Sequence, residues 1–346
     1  MAGLDFLGIE LGKLIIKTFW DKGGKALGGA SQSLNDEIKK LIYKASKQYV
    51  NNYNQRHGIL KVLGMREPVA LESVYTGVRF LDEKDIRSLG SIADLEEDYR
   101  TAQKRKFQRE HSWKEGLRVA KETQYLMVLG GPGAGKSTFL RRMGLEALKL
   151  NKGEFQHHCI PVFIELKRFN SDKIDIKEVI AEELRICRFP SPNESTTKLL
   201  EQGKLLILLD GLDEVPSKNL NESIGKIQDF VDLYDTNRFI ISCRTAAYRS
   251  GFRRFTDVAM ADFNDEQIEC FIKNWFQSES DKNAGTAQKC WKILQKTENA
   301  AAKELAHTPL LLTFLCLVYE RSQRFPNNRS ILYCKALRIL LEEWAA

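Results

Sequence analysis

The chain is 346 residues long, enough for two or three domains with sizeable cores. Hydrophobic residues make up 43% and charged residues 29%, as in an ordinary globular protein, and the longest apolar run, Leu310–Val318, is too short for a membrane span. The formal net charge of +7 is modest and both signs are mixed along the chain, so nucleic acid is not indicated as a partner.

The first residues, MAGLDFLGIELGKLII, lack a basic start and carry acids within their apolar part, which argues against a secretory signal. Residues 1 to about 62 form the expected N-terminal helical domain. Leu4, Leu7, Leu11 and Leu14 share one helical face, which Ile15, Ile16, Phe19 and Trp20 widen. A glycine-rich break, DKGGKALGGAS, separates this helix from a second that starts near Leu34 and carries Ile38, Ile42 and Tyr49. Such a stripe must be buried, either within the bundle or as a releasable dock on the core; membrane insertion is disfavoured by Asp5 and Glu10.

Residues 63–122 read as a linking segment, with PVALESVYTGVRF extended and a charged helix from Asp94 to Lys121. Lys104, Arg105, Lys106 and Arg109 are its densest basic patch and read as a solvated face. From Gln124 the texture changes. Short apolar runs, YLMVL, PVFIEL, LLILLD, RFIISC and VAMADF, alternate with helical segments through residue 263. Uniformly apolar runs of this length suit parallel strands covered on both faces, so an α/β core is expected over 123–263. A helical region is expected over 264–322, opened by a capping-box pair at Asn264 and Gln267, and a further unit begins at 323–346 but does not complete.

His157, His158 and Cys159 sit together, but without a second ligand pair they read as a loop entering a strand. The seven cysteines are scattered singly with no CxxC pair, which suits reduced thiols and a cytoplasmic location.

Chemistry concentrates in VLGGPGAGKSTFLRRM. Gly130, Gly131, Pro132, Gly133, Ala134, Gly135, Lys136 and Ser137 satisfy GxxxxGK[ST], followed by Thr138, between a strand and a helix. Glycines let backbone N–H groups converge on phosphate oxygens at a helix N-terminus, where the dipole favours an anion. Lys136 should reach the β- and γ-phosphates of ATP, and the Ser137 hydroxyl should bind Mg²⁺. In LLILLDGLDEVP, Asp210 ends an apolar strand and can supply a carboxylate to Mg²⁺. Asp213 and Glu214 follow, and either could align a water; Glu214 is the first choice and Asp213 the rival. In FIISCRTAAYR, Arg244 ends another strand and can sense a γ-phosphate.

Together these elements resemble the NACHT family of signal-transducing (STAND) ATPases, bacterial relatives of the animal nucleotide-binding leucine-rich-repeat receptors. GGPGAGKST and LLILLDGLDE are similar to its nucleotide-binding signatures, ISCR to its sensor strand, and AHTPLLLTFLC to the helical motif whose proline, here Pro309, lies against the nucleotide. REPVALESVYTGV resembles the lead-in, and RSILYCKALRILLEEW resembles the opening of a winged-helix region. Pro309 also suits a simple helix start.

The resemblance implies a P-loop NTPase with a parallel sheet, of the ASCE/AAA+-like kind, flanked by helical domains. It further implies an ATP/ADP switch that hydrolyses slowly, oligomerises with its own copies and serves intracellular, bacterial anti-phage defence, with trigger and effector unknown. The family's ADP-holding histidine and sensor repeats have no counterpart here, so the chain is expected to be a fragment or a receptor lacking its sensor. The competing readings are an AAA+-like remodelling or nucleic-acid-dependent motor, for which Arg249, Arg253 and Arg254 are the available fingers, and a nucleotide-regulated scaffold.

Overall fold

The computed structural model describes residues 2–20, 32–61, 68–81, 114–169, 175–248, 251–326 and isolated positions from 328 to 338. The basic patch at 104–109, the charged stretch over 94–113, Arg249 and most of the 323–346 segment lie outside the described residues.

Two helices, α1 (Ala2–Trp20) and α2 (Gln32–His57), form the N-terminal hairpin. Leu11 and Ile15 of α1 are fully buried, as are Ile42 and Val50 of α2, and Leu4, Leu7 and Leu14 are partly buried against them. Each such side chain is worth roughly 1.5–3 kcal/mol of burial. The side chains of Phe19 and Trp20 lie outside the described set. The hairpin does not stand apart. Its buried residues belong to the same apolar cluster as the strands of the α/β core.

The second helix is pinned along its length. Tyr49 donates its hydroxyl to the Pro161 carbonyl at 2.7 Å. Arg56 forms a two-pronged bond with Glu183, at 2.9 and 2.5 Å. Between them, Tyr53 presses against Gly144 so closely that a Cβ there would lie 1.7 Å from the Tyr53 hydroxyl oxygen.

Where the sequence suggests one extended piece at 68–80, the structure is segmented. A two-residue ribbon, β1 (Ile59–Leu60) with β2 (Val69–Ala70), leads into a single helical turn, α3 (Leu71–Val74), and then β3 (Arg79–Leu81). Glu72 and Ser73 are exposed while Leu71 and Val74 are buried, the three-residue spacing of a helical turn rather than the alternation of a strand. A second short strand, β4 (Lys114–Glu115), runs into α4 (Gly116–Glu122).

The core then follows in βα order: β5 (Tyr125–Gly130), α5 (Lys136–Leu148), β6 (Ile160–Glu165), α6 (Ile176–Ile186), α7 (Pro192–Glu201), β7 (Leu205–Asp210), α8 (Ser217–Leu233), β8 (Arg238–Arg244) and β9 (Thr256–Met260). The sheet order is β4-β3-β9-β5-β8-β7-β6. The strands from β9 to β6 are parallel, as their unbroken apolar runs require. The parallel expectation for 123–263 holds, and β3 and β4, from the linking segment, add an antiparallel edge beside β9. Pieces of two or three residues carry no periodicity from which their direction could be read.

Five helices complete the described chain: α9 (Asp265–Trp275), α10 (Glu279–Ala284), α11 (Thr286–Leu294), α12 (Ala300–Leu305) and α13 (Pro309–Ser322). The capping box forms, with Gln267 N–H donating to Asn264 at 2.9 Å and Asn264 N–H to Gln267 at 3.1 Å. Phe263 and His307 then exchange bonds: the Phe263 N–H donates to the His307 carbonyl, and the His307 ring meets the Phe263 carbonyl at 2.5 Å. This clasp carries the start of α13 to the carboxyl edge of the sheet.

Candidate functional site

The loops leaving β5, β7 and β8 open on one cavity of about 450 Å³. Ligands of open α/β sheets bind at this carboxyl edge. Gly133 and Gly135 adopt φ of 75° and 95°, a region closed to most side chains, which lets the loop turn into α5. Gly133 is also tight: a Cβ there would meet Leu310 Cβ at 2.9 Å.

Lys136, at the first position of α5, donates to the carbonyls of Gly130 and Gly131 at 2.8 and 2.9 Å. Burial lowers its ammonium from the usual lysine range; Asp213 opposes that shift and Arg244 adds to it. An anion in the loop would reverse this desolvation cost by supplying opposite charge.

The acidic side is built from two adjacent strands. Asp210 ends β7, and its Oδ1 accepts from the Ser242 hydroxyl of β8 at 2.6 Å. The same hydroxyl accepts from the Gly211 N–H at 2.8 Å. Asp213 is committed elsewhere, with Oδ1 accepting the Arg244 backbone N–H and Oδ2 meeting Arg244 Nε, both at 2.9 Å. Its side chain is only 8% exposed, whereas that of Arg244 is 52% exposed. Glu214 lies on the cavity wall and is exposed. Geometry thus distinguishes the two acids: Asp213 holds Arg244, and Glu214 is exposed on the cavity wall.

Every residue singled out from 132 to 138 lines the cavity, together with Asp210, Asp213, Glu214, Arg244 and Pro309. Gly130 and Gly131 contribute through the carbonyls that hold Lys136. Pro309 opens α13 and also lines the cavity. The donor set fits a Mg²⁺–phosphate group: the Ser137 hydroxyl and the Asp210 carboxylate border the same space as the glycine loop, and no cluster of three His, Cys, Asp or Glu among the described residues offers an all-protein cage. A Mg²⁺ ion there would neutralise phosphate charge. Arg254 is tied at the surface to Asp232 and Asp235, at 2.7 and 3.3 Å. His157 is engaged with the Lys121 carbonyl at 2.9 Å, and all seven cysteines are free thiols.

Several cavity residues carry no sequence motif. Leu71, Val74 and Tyr75 of the lead-in and Phe263 and Phe271 of the helical region give the cavity an apolar part beside the phosphate loop residues in its lining. Ser242 was visible only as a polar residue near the end of an apolar strand.

A glycine loop at a helix N-terminus, a lysine beside it and a strand-end aspartate on the same cavity define a P-loop nucleoside-triphosphatase fold. Residues 124–279 match the family model described as NACHT domain. No curated protein matches the chain. Among solved structures, Thermotoga maritima RuvB is 13% identical, with 64% of this chain and 65% of that chain covered and a TM-score of 0.33. A STAND protein with a tetratricopeptide repeat sensor from Pyrococcus horikoshii is 13% identical, covering 64% of this chain and 31% of that one, with a TM-score of 0.35. C. elegans PCH-2 is 11% identical, with coverages of 66% and 67% and a TM-score of 0.34. At such TM-scores these likenesses carry no argument about function. The chain spans less than a third of the STAND protein. No helix among the described residues is long and apolar enough to cross a membrane.

Proposed function

We propose that this chain is an ATP/ADP-dependent switch that binds Mg²⁺-ATP, hydrolyses it slowly and self-associates when the helical region is released. One contact carries the reading. The Leu310 N–H, in the first turn of α13, donates to the Gly133 carbonyl of the phosphate loop at 3.3 Å. The helical region therefore touches the element that would hold the phosphates, and a change in phosphate number has a direct mechanical route outward.

In this scheme Gly130 to Thr138 hold the phosphates and Pro309 closes on the ribose or base. Ser137 and Asp210 hold Mg²⁺, Arg244 registers the γ-phosphate and Glu214 orients the attacking water, with Asp213 positioning Arg244. ADP keeps α13 on the loop; exchange for ATP loosens it and permits assembly with further copies. Intracellular defence signalling, with an unknown trigger and effector, follows from the family resemblance alone.

The test is to identify the nucleotide retained by purified protein and to measure particle size with ADP and with ATP. Retained ADP and enlargement with ATP are expected, and both should vanish in Lys136→Ala. Fast turnover stimulated by DNA, with no change in size, would overturn the switch in favour of a motor. Hydrogen exchange over 305–318 that ignores ADP would remove the role given to α13.

A further inference from the structure

The apolar half of the cavity rests on very little secondary structure. Leu71 and Val74 sit on a four-residue helix that no intrinsic propensity can sustain, because one turn is shorter than a stable helical nucleus. Something else must hold it in place.

On one side the holder is a chain of four charges. The Glu72 carboxylate pairs with Arg142 and, at 2.7 Å, with Lys149. Both cations also reach Glu146, at 2.6 and 2.7 Å, and that carboxylate is only 2% exposed. The Glu154 N–H supplies a further bond to Glu146 at 3.2 Å. The Arg142 guanidinium lies over the ring of Tyr75, 5.5 Å from its centroid. Arg142 and Glu146 belong to α5, the helix that starts at the phosphate loop, and Lys149 caps its end. On the other side, Gln277 donates to the Ser73 carbonyl at 2.9 Å and Gln267 to the Gly77 carbonyl at 2.6 Å. The segment 71–78 is thus a strap strung between the phosphate-loop helix and the helical region.

We infer that Glu72 is a positioning residue for the nucleotide base: by tying the strap to α5 it closes the apolar half of the cavity and sets how readily a nucleotide leaves. The inference rests on the nucleotide site proposed above. Glu72 itself does not border the cavity, so it acts through Leu71, Val74 and Tyr75, which do. Phosphate binding depends on the glycine loop and Lys136, which are not part of the strap. Loosening the strap therefore separates the two halves of recognition: the base loses its wall while the phosphates keep theirs. It also gives the helical region a second hold on the ligand, since a movement of Gln267 and Gln277 pulls the strap directly.

The experiment is calorimetric titration of the full chain with Mg²⁺-ATP, Mg²⁺-ADP and Mg²⁺-tripolyphosphate, for the parent, Glu72→Gln and Glu72→Ala. Loss of a partly exposed ion-pair network should weaken ATP and ADP by about three- to tenfold, by the same factor for both, and should speed their release. Tripolyphosphate binding should match the parent. Glu72→Gln keeps the length of the side chain, so a parent-like melting temperature in that variant excludes a folding defect. Parent affinity for ATP and ADP in both variants would overturn the strap, and so would an equal loss for tripolyphosphate, which would place the effect on the phosphate loop. A parent protein that binds no Mg²⁺-ATP would instead remove the nucleotide site itself.

Discussion

Ser242 donates its hydroxyl to Asp210 Oδ1 at 2.6 Å and accepts the Gly211 N–H at 2.8 Å. It is buried, at 1% exposure, on the strand next to the one that ends in Asp210. One hydroxyl therefore fixes both the carboxylate rotamer and the peptide that follows it. The bond engages Oδ1, and β8 contributes to the acidic site through Ser242 as well as through Arg244.

Replacing Ser242 with Ala removes a donor and an acceptor at once from a buried site. The cost in stability is expected at about 1–3 kcal/mol, the penalty for stranding buried polar groups. With Asp210 free to rotate, turnover should drop at least about tenfold while metal-free ATP binding changes little, since the hydroxyl acts through the carboxylate. A parent-like rate at every Mg²⁺ concentration would show that Ser242 does not position Asp210.

Glu214 and Asp213 can be separated by the same logic. Glu214→Gln retains size and cavity position but cannot act as a base, so ATP should bind and persist, with turnover reduced about 10²-fold or more. Asp213→Asn keeps the acceptor for the Arg244 N–H and loses the charge paired with Arg244 Nε. That variant should lose discrimination between ATP and ADP before it loses turnover. The reverse pattern, with catalysis falling in Asp213→Asn alone, would exchange the two roles.

What was legible in the sequence was what is chemically local. GGPGAGKS announces its loop because glycines, lysine and serine act within eight consecutive positions, and the uniformly apolar β5 to β8 announce burial on both faces. Asn264 and Gln267 meet their capping roles over three residues. The pairings that decide the site are not local. Ser242 with Asp210, Glu72 with Arg142 and Tyr53 with Gly144 join positions tens of residues apart, and only strand order and helix docking bring them together. Asp213 and Glu214 are sequence neighbours with equal chemistry, and their different partners follow from the direction in which each side chain leaves the turn.

Acid should weaken the seat of the N-terminal hairpin. His57 packs between Tyr53 and Phe163, with ring centroids 4.6 and 4.5 Å away and both pairs tilted. Burial, reinforced by Arg141 and Arg56, lowers its pKa from 6.5 to about 3. The folded chain then refuses a proton that the unfolded chain accepts below pH 6.5. Stability is complete above that pH and is lost progressively as pH falls from about 6.5 toward 3, with a limiting slope of about 1.4 kcal/mol per pH unit from this group. His157 is lowered in the same direction, mainly by burial, so the measurement must be a difference. Melting temperatures of parent and His57→Phe should converge or cross between pH 7 and 4.5, because phenylalanine fills the aromatic gap without a proton to gain. Parallel curves would exclude His57 as the source.

The most specific mechanical prediction concerns Gly144. Alanine in the middle of a helix normally stabilises it by roughly 0.5–1 kcal/mol relative to glycine. Here the added methyl would lie 1.7 Å from the Tyr53 hydroxyl oxygen, 2.6 Å from its ring carbon and 3.1 Å from Leu208 Cδ1. Leu208 is fully buried within β7, so the yielding partner is Tyr53 and with it α2. Gly144→Ala should therefore destabilise the protein by about 1–3 kcal/mol, the usual cost of overpacking. Its signature should be faster hydrogen exchange in α1 and α2 with β5 to β8 unchanged. Tyr53→Phe makes the complementary change. The hydroxyl is buried with no hydrogen-bond partner among the described residues, so its removal should be neutral or stabilising by up to about 1 kcal/mol. In the double variant the loss from Gly144→Ala should shrink, because the nearest clashing atom is gone. A Gly144→Ala protein that melts at or above the parent temperature would show that α2 does not bear on the phosphate-loop helix at this point.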